Sequence, residues 1–173
     1  MPVRARAPGR RSFGFAISAT ALGGYRAQGR SAESAVRITD GLVGFRGHTQ
    51  FVLWTDPEVR GLTWLQSTSA PELAFGLVPP PASAADYKVD LRPGDRASLE
   101  LEDERDLQVY VILNRGEGGG LTVNLQGPVV INKRRRIGRQ IRHVARHRDA
   151  VPADFARWLD GLRDLRARAR VLE

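Results

Sequence analysis

Between Tyr25 and Asn132 the apolar residues arrive in short runs that end at Gly, Pro, Asp or Asn. Such punctuation selects strands over helices, because each run is too brief to build an amphipathic helix but long enough to cross a sheet. Phe51 to Trp54, Leu62 to Gln66 and Ala74 to Val78 are compact runs of the kind buried in a sheet. Ala97 to Glu102 alternates with period two, which predicts a strand with Ala97, Leu99 and Leu101 inward and Ser98, Glu100 and Glu102 in water. Asp103 to Asp106 then turns the chain. Leu107, Val109, Val111 and Leu113 share one face of the next strand, and Gln108, Tyr110 and Ile112 share the other. Asn114 to Gly120 reads as a hairpin loop, after which Leu121, Val123 and Leu125 resume the alternation. Gly127-Pro128 breaks the ladder, since Pro offers no backbone donor, before Val129 to Asn132 extends again. The expected fold is all-β: a small antiparallel meander curled into a barrel or sandwich so that its edges are hidden.

Both ends depart from this pattern. Residues 1–24 are rich in Arg, Ala and Gly without a period and read as a flexible basic extension. Arg10-Arg11-Ser12-Phe13 imitates a twin-arginine export signal, but the apolar stretch behind it is short and diluted by Ser, Thr and Gly, so an unstructured leader or an over-long start is the plainer reading. Residues 25–145 form the β domain. In residues 146–173, Phe155, Trp158, Leu159, Leu162 and Leu165 fall at helical spacing behind Pro152 and Asp154, which predicts a C-terminal amphipathic helix able to cover a sheet edge.

The net charge of +8 is unevenly divided. Residues 1–30 carry six Arg and no acid, residues 31–132 carry eight basic and fourteen acidic side chains, and residues 133–173 carry thirteen and five. The middle is therefore acidic and the positive excess belongs to the ends. Lys133-Arg134-Arg135-Arg136, with Arg139 and Arg142, is the candidate for a phosphate backbone, yet no aromatic is interleaved to stack a base. Direct nucleic-acid binding through residues 133–142 stands as the rival function.

Little in the chain points to catalysis. There is no Cys, which excludes disulfides and thiolate metal sites. His143 and His147 are four apart, but Arg142, Arg146 and Arg148 would repel a cation. No Ser lies in a G-x-S-x-G elbow, only His48 serves the β region, and Ser67 and Ser69 read as loop residues. Gly116 to Gly120 lacks the Gly-Lys-Ser/Thr ending of a phosphate loop, and Glu100 to Asp106 sit where carboxylates stay solvated and ordinary. No catalytic, cofactor or metal site, no small-molecule substrate and no membrane span is expected.

Several blocks in order carry a resemblance. Asp40-Gly41-Leu42-Val43-Gly44-Phe45, Phe51-Val52-Leu53, Leu65-Gln66-Ser67, Ala74-Phe75 leading to Pro79, and Asp86-Tyr87 come first. Val109 to Leu113, Thr122-Val123-Asn124-Leu125-Gln126-Gly127-Pro128-Val129-Val130-Ile131-Asn132 and Gly138-Arg139-Gln140 follow. Across residues 25–142 this resembles the flagellar assembly factor FliW family. The resemblance implies a cytoplasmic, non-enzymatic regulator with a β-barrel-like fold that binds the translational repressor CsrA, keeps it from messenger RNA, and releases it when flagellin competes. In that family the antagonism acts away from the RNA-binding face, in part through negative charge. Gly41, Gly44, Asn124, Gln126, Pro128 and Asn132 match hallmark positions. Gly41 and Gly44 would permit a tight turn that Phe45 anchors to the core. Asn124, Gln126 and Asn132 would either satisfy loop backbone or meet a partner, with Asn124 and Gln126 nearest its surface and Glu100, Glu102, Asp103 and Glu104 as the electrostatic part. One departure is plain: the family has a clear strand before the first hallmark, and here Gly29 to Val36 is weak and flanked by Arg.

Overall fold

The computed structural model describes residues 35–56, 60–80, 87–115 and 121–142. Seven strands follow the apolar runs: β1 (Ala35–Ile38), β2 (Gln50–Thr55), β3 (Thr63–Ser67), β4 (Ala74–Val78), β5 (Leu107–Arg115), β6 (Leu121–Asn132) and β7 (Ile137–Gln140). Each pairs antiparallel with the next, and β7 closes the barrel by pairing parallel with β1, Arg37 opposite Ile137. Closure leaves no exposed edge to template aggregation. The leader and the segment expected to form a C-terminal helix, with His143 and His147, lie outside the described residues.

Period-two alternation decides what fills the barrel. Val36, Ile38, Phe51, Leu65, Phe75 and Ile112 are among the side chains packed in the interior, and each such burial is worth about 1.5–3 kcal/mol before entropy is counted. On β6, Val129 and Ile131 point inward while Val130 belongs to a second, outer layer with Leu99, Leu101, Ile137 and Ile141. Both faces of β5 are used likewise, Tyr110 and Ile112 inside and Leu107 and Val109 against the outer layer. β1 forms from a stretch whose propensity is weak because it is paired on both sides and its Val36 and Ile38 complete the core.

Residues 97–102 are not a strand. A one-and-a-half-turn helix, α1 (Pro93–Ser98), opens with Pro at its first position and ends in a Schellman cap: Leu101 N–H donates to the Arg96 carbonyl and Glu100 N–H to that of Ala97, each at 3.0 Å. Glu100 takes the left-handed backbone at φ 50° that this cap requires. The cap reverses the chain, so Leu99 and Leu101 are both buried while Ala97 is exposed. Spacing of two between buried leucines thus comes from a helix end and imitates a strand.

Charge segregation along the sequence disappears on folding. Residues 133–142 supply β7 and the turn before it, so they pack directly against the acidic middle. Residues 35–142 hold fourteen basic and thirteen acidic side chains, a net +1. This stretch is therefore close to neutral and not the negative scaffold that residues 31–132 alone imply.

Candidate partner-binding site

Gly41 and Gly44 shape the turn between β1 and β2 with φ of +65° and +87°. Phe45 N–H donates to the Leu42 carbonyl at 2.8 Å, which closes the turn. Leu42 is buried, and Phe45 meets Phe75 edge to face with centroids 5.2 Å apart, so the turn is pinned to the barrel core at two points. Val43, between them, is left 62% exposed.

Opposite this turn, β6 carries the break expected at Gly127-Pro128. Tyr110 pairs with Val129 and Ile112 with Asn124, so one residue of β5 faces four of β6, Leu125 to Pro128. The strand runs on through this bulge and does not end there. Asn124 Oδ1 accepts from Gln126 N–H at 3.1 Å, and Tyr87 OH donates to the Leu125 carbonyl at 2.7 Å. A Cβ on Gly127 would lie 2.8 Å from Gln140 Nε2 and 2.9 Å from Asn124 Nδ2. Gln140 joins the two walls: its Nε2 donates to the Gly127 carbonyl at 2.9 Å and its Oε1 accepts from Val43 N–H at 2.8 Å. Between turn, bulge and the end of β7 lies a groove of about 620 Å³ whose walls include Asp40, Val43, Asn124, Gln126, Arg139 and Gln140.

Burial raises the Tyr87 hydroxyl from its ordinary 10.0 to about 12. Because the folded value lies above the unfolded one, the associated stability is complete below pH 10 and is lost as the pH climbs toward 12. Tyr87→Phe is expected to lower the unfolding free energy by about 1 kcal/mol, the net worth of its bond to Leu125, and to remove that alkaline component from urea unfolding measured against pH.

The remaining candidates gather at the far end of β6. Asn132 is buried, its Nδ2 donating to the carbonyls of Leu99 and Glu100 and its Oδ1 accepting from Arg134 and Arg135 N–H. Its amide is thus wholly engaged in joining the β6–β7 turn to the end of α1. Glu100, Glu102 and Glu104 are exposed and Asp103 half-buried, but none stands alone. Arg135 lies 3.7 Å from Glu100 and 3.4 Å from Glu102, Arg96 pairs with Glu104, and Arg105 lies 2.7 Å from Asp103. The Arg105 side chain, then its backbone N–H, holds the Asp103 carboxyl below its usual range. Six strand residues at about 3.3 Å each put Gln126 and Asn132 up to roughly 20 Å apart. The predicted residues therefore divide into a groove end (Gly41, Gly44, Phe45, Asn124, Gln126, Pro128) and an acidic end (Asn132 and the four acids). Arg139 links them, 3.0 Å from Asp40 and 3.5 Å from Asp95 of α1.

Tyr87, Gly127 and Gln140 are not among the expected site residues, and Arg139 is expected only in the rival basic segment, although each falls in a block that resembles the family. Their roles depend on cross-strand register, which spacing along the chain does not encode. Ser67 is the last residue of β3 and not a loop residue; its buried hydroxyl meets His48 Nδ1 at 3.3 Å and Ser69 at 3.2 Å. No helix among the described residues is long and apolar enough to cross a membrane.

The model of the FliW protein family matches residues 20–149. Flagellar assembly factor FliW of Bdellovibrio bacteriovorus is 37% identical over 109 residues, 62% of this chain and 62% of that protein, so somewhat under two thirds of that relative's length is spanned. The corresponding proteins of Geobacter sulfurreducens and Geobacillus kaustophilus are 34% and 36% identical over 107 residues, 61% of this chain and 67% and 74% of theirs. A crystal structure of the flagellar assembly factor FliW superposes with a TM-score of 0.60 at 33% identity, covering 67% of this chain and 82% of that one. With the barrel, the hallmark turn and the β6 bulge in place, the chain belongs to the FliW family of flagellar assembly factors.

Proposed function

We propose that this protein is a cytoplasmic partner switch without catalytic activity: it binds a CsrA-type translational regulator, keeps it from messenger RNA, and yields it when flagellin competes. The observation that carries the reading is the convergence of three separate hallmark segments, residues 40–45, 124–128 and 138–140, on one groove whose wall presents Asn124 and Gln126. Residues that only built the barrel would not need to meet at a concave surface. The acids at the far end of β6 contribute short-range complementarity, because Arg96, Arg105 and Arg135 already neutralise much of their field.

Immobilised protein is expected to retain a CsrA-type dimer at micromolar concentration, and added flagellin to displace it. Asn124→Ala with Gln126→Ala should weaken retention by about tenfold, as expected for polar groups at a contact centre. Retention of neither partner would overturn the reading. Direct RNA binding through residues 133–142 is less well supported, because Arg135 and Arg139 are committed to acids and Ile137 and Gly138 are buried in β7. Were it the activity, RNA affinity would appear without CsrA and fall steeply with salt.

A further inference from the structure

The groove carries more positive charge than its own acid neutralises. Asp40 is taken by Arg139, which also donates to Ser98 Oγ at 2.7 Å. Arg46 and Arg142 line the same groove, are exposed, and have no ion-pair partner among the described residues. Val43 stands beside them as the single exposed large hydrophobic side chain among the described residues. It cannot fold away, because its N–H is held by Gln140 and its neighbours Leu42 and Phe45 are anchored in the core. The Gln126 side-chain amide, with no hydrogen bond among the described residues, offers both a donor and an acceptor at the rim. Two guanidinium groups and one amide without partners among the described residues, with one fixed apolar knob, define a ligand of mixed chemistry.

We propose that this groove seats an extended segment of a protein partner that carries Asp or Glu side chains on both sides of one apolar residue. The apolar residue covers Val43, the carboxylates meet Arg46 and Arg142 with the paired geometry guanidinium favours, and Gln126 bonds the segment's backbone. RNA fits less well: among the described residues no aromatic side chain lines the groove to stack a base, and Val43 gains nothing from a phosphate chain. The inference rests on the reading that this chain works by occupying protein partners, and it supplies the chemistry of one contact.

The test titrates the isotope-labelled full chain with a synthetic peptide of one Leu flanked on each side by Glu residues. The Val43, Arg46, Gln126 and Arg142 amide resonances are expected to shift. Arg46→Glu with Arg142→Glu, or Val43→Asp alone, should weaken binding by at least about tenfold, while Arg134→Glu, on the turn outside the groove, should leave it unchanged. All the substituted positions are exposed, so the remaining resonances should stay in place and report an intact fold. Equal binding of a peptide with Lys in place of Glu, shifts confined to residues outside the groove, or displacement by a single-stranded RNA of higher affinity would overturn the assignment. The same variants in the pull-down separate the two ideas. Retention of CsrA-type dimer and flagellin undiminished by Arg46→Glu with Arg142→Glu sinks the groove and spares the partner switch. A peptide that maps onto the groove while neither partner is retained does the reverse.

Discussion

Gly41→Ala is expected to lower the unfolding free energy by about 2–5 kcal/mol, a large part of what a domain of this size possesses. Two costs add. At φ +65° an alanine occupies the left-handed region, at about 1–2 kcal/mol. Its Cβ would also lie 2.7 Å from both the Arg46 Cα and the Phe45 carbonyl oxygen, backbone atoms that cannot rotate aside, and such overpacking costs about 1–3 kcal/mol more. Gly44 supplies the internal comparison. Its φ is +87°, but nothing lies within 4 Å of a Cβ built there, so Gly44→Ala should lose only the conformational part. Urea unfolding of the two variants side by side measures the difference. Equal midpoints would mean that the turn relaxes freely, and would remove the argument that Leu42 and Phe45 hold it rigid. Because Val43 and its bond to Gln140 lie within the same turn, Gly41→Ala should also broaden the groove resonances.

That turn shows how the legible and illegible parts of this protein differ. A turn at Gly41 and Gly44 with Phe45 as its anchor can be read from the sequence, because positive φ and an aromatic beside it are local requirements. Strands β2, β3 and β4 follow the runs Phe51 to Trp54, Leu62 to Gln66 and Ala74 to Val78 for a similar reason: β3 and β4 are buried at every position, so burial on both faces is written along the strand as a continuous apolar run. Local patterns mislead where two structures share one spacing. Leu99 and Leu101 alternate as in a strand, and only Pro93 at a helix start and the left-handed Glu100 betray the Schellman cap. Interactions between distant residues leave no local trace at all. Arg135 is far in sequence from Glu100 and Glu102, yet it neutralises them across the β6–β7 turn, which no division of charge along the chain reveals. Gln140 is a polar residue at a strand end until register sets it against Gly127 and Val43.

Asn132 concentrates the opposite kind of dependence, a single buried amide on which two segments rely. Asn132→Ala should cost about 2–4 kcal/mol, because the Leu99 carbonyl loses its 3.0 Å donor at a site water does not reach. The Arg134 and Arg135 N–H groups lie on an exposed turn and can turn to solvent, so their loss adds less. Asn132→Asp changes almost no volume but sets a carboxylate oxygen against the carbonyls of Leu99 and Glu100, replacing two attractions by two repulsions. It should therefore destabilise at least as much as alanine at neutral pH and less in acid, where a protonated carboxyl can donate. Hydrogen exchange gives the local readout: the Arg134 and Arg135 amides should lose protection in Asn132→Ala but keep it in Asn132→Asp, whose carboxylate still accepts from both, while Val43, at the groove end, keeps its own in either variant. If Asn132→Ala unfolds at the wild-type urea midpoint, the amide is not the tie between the β6–β7 turn and α1. The acidic residues at that end would then be held by their ion pairs with Arg96, Arg105 and Arg135 alone, a far weaker constraint for exposed groups.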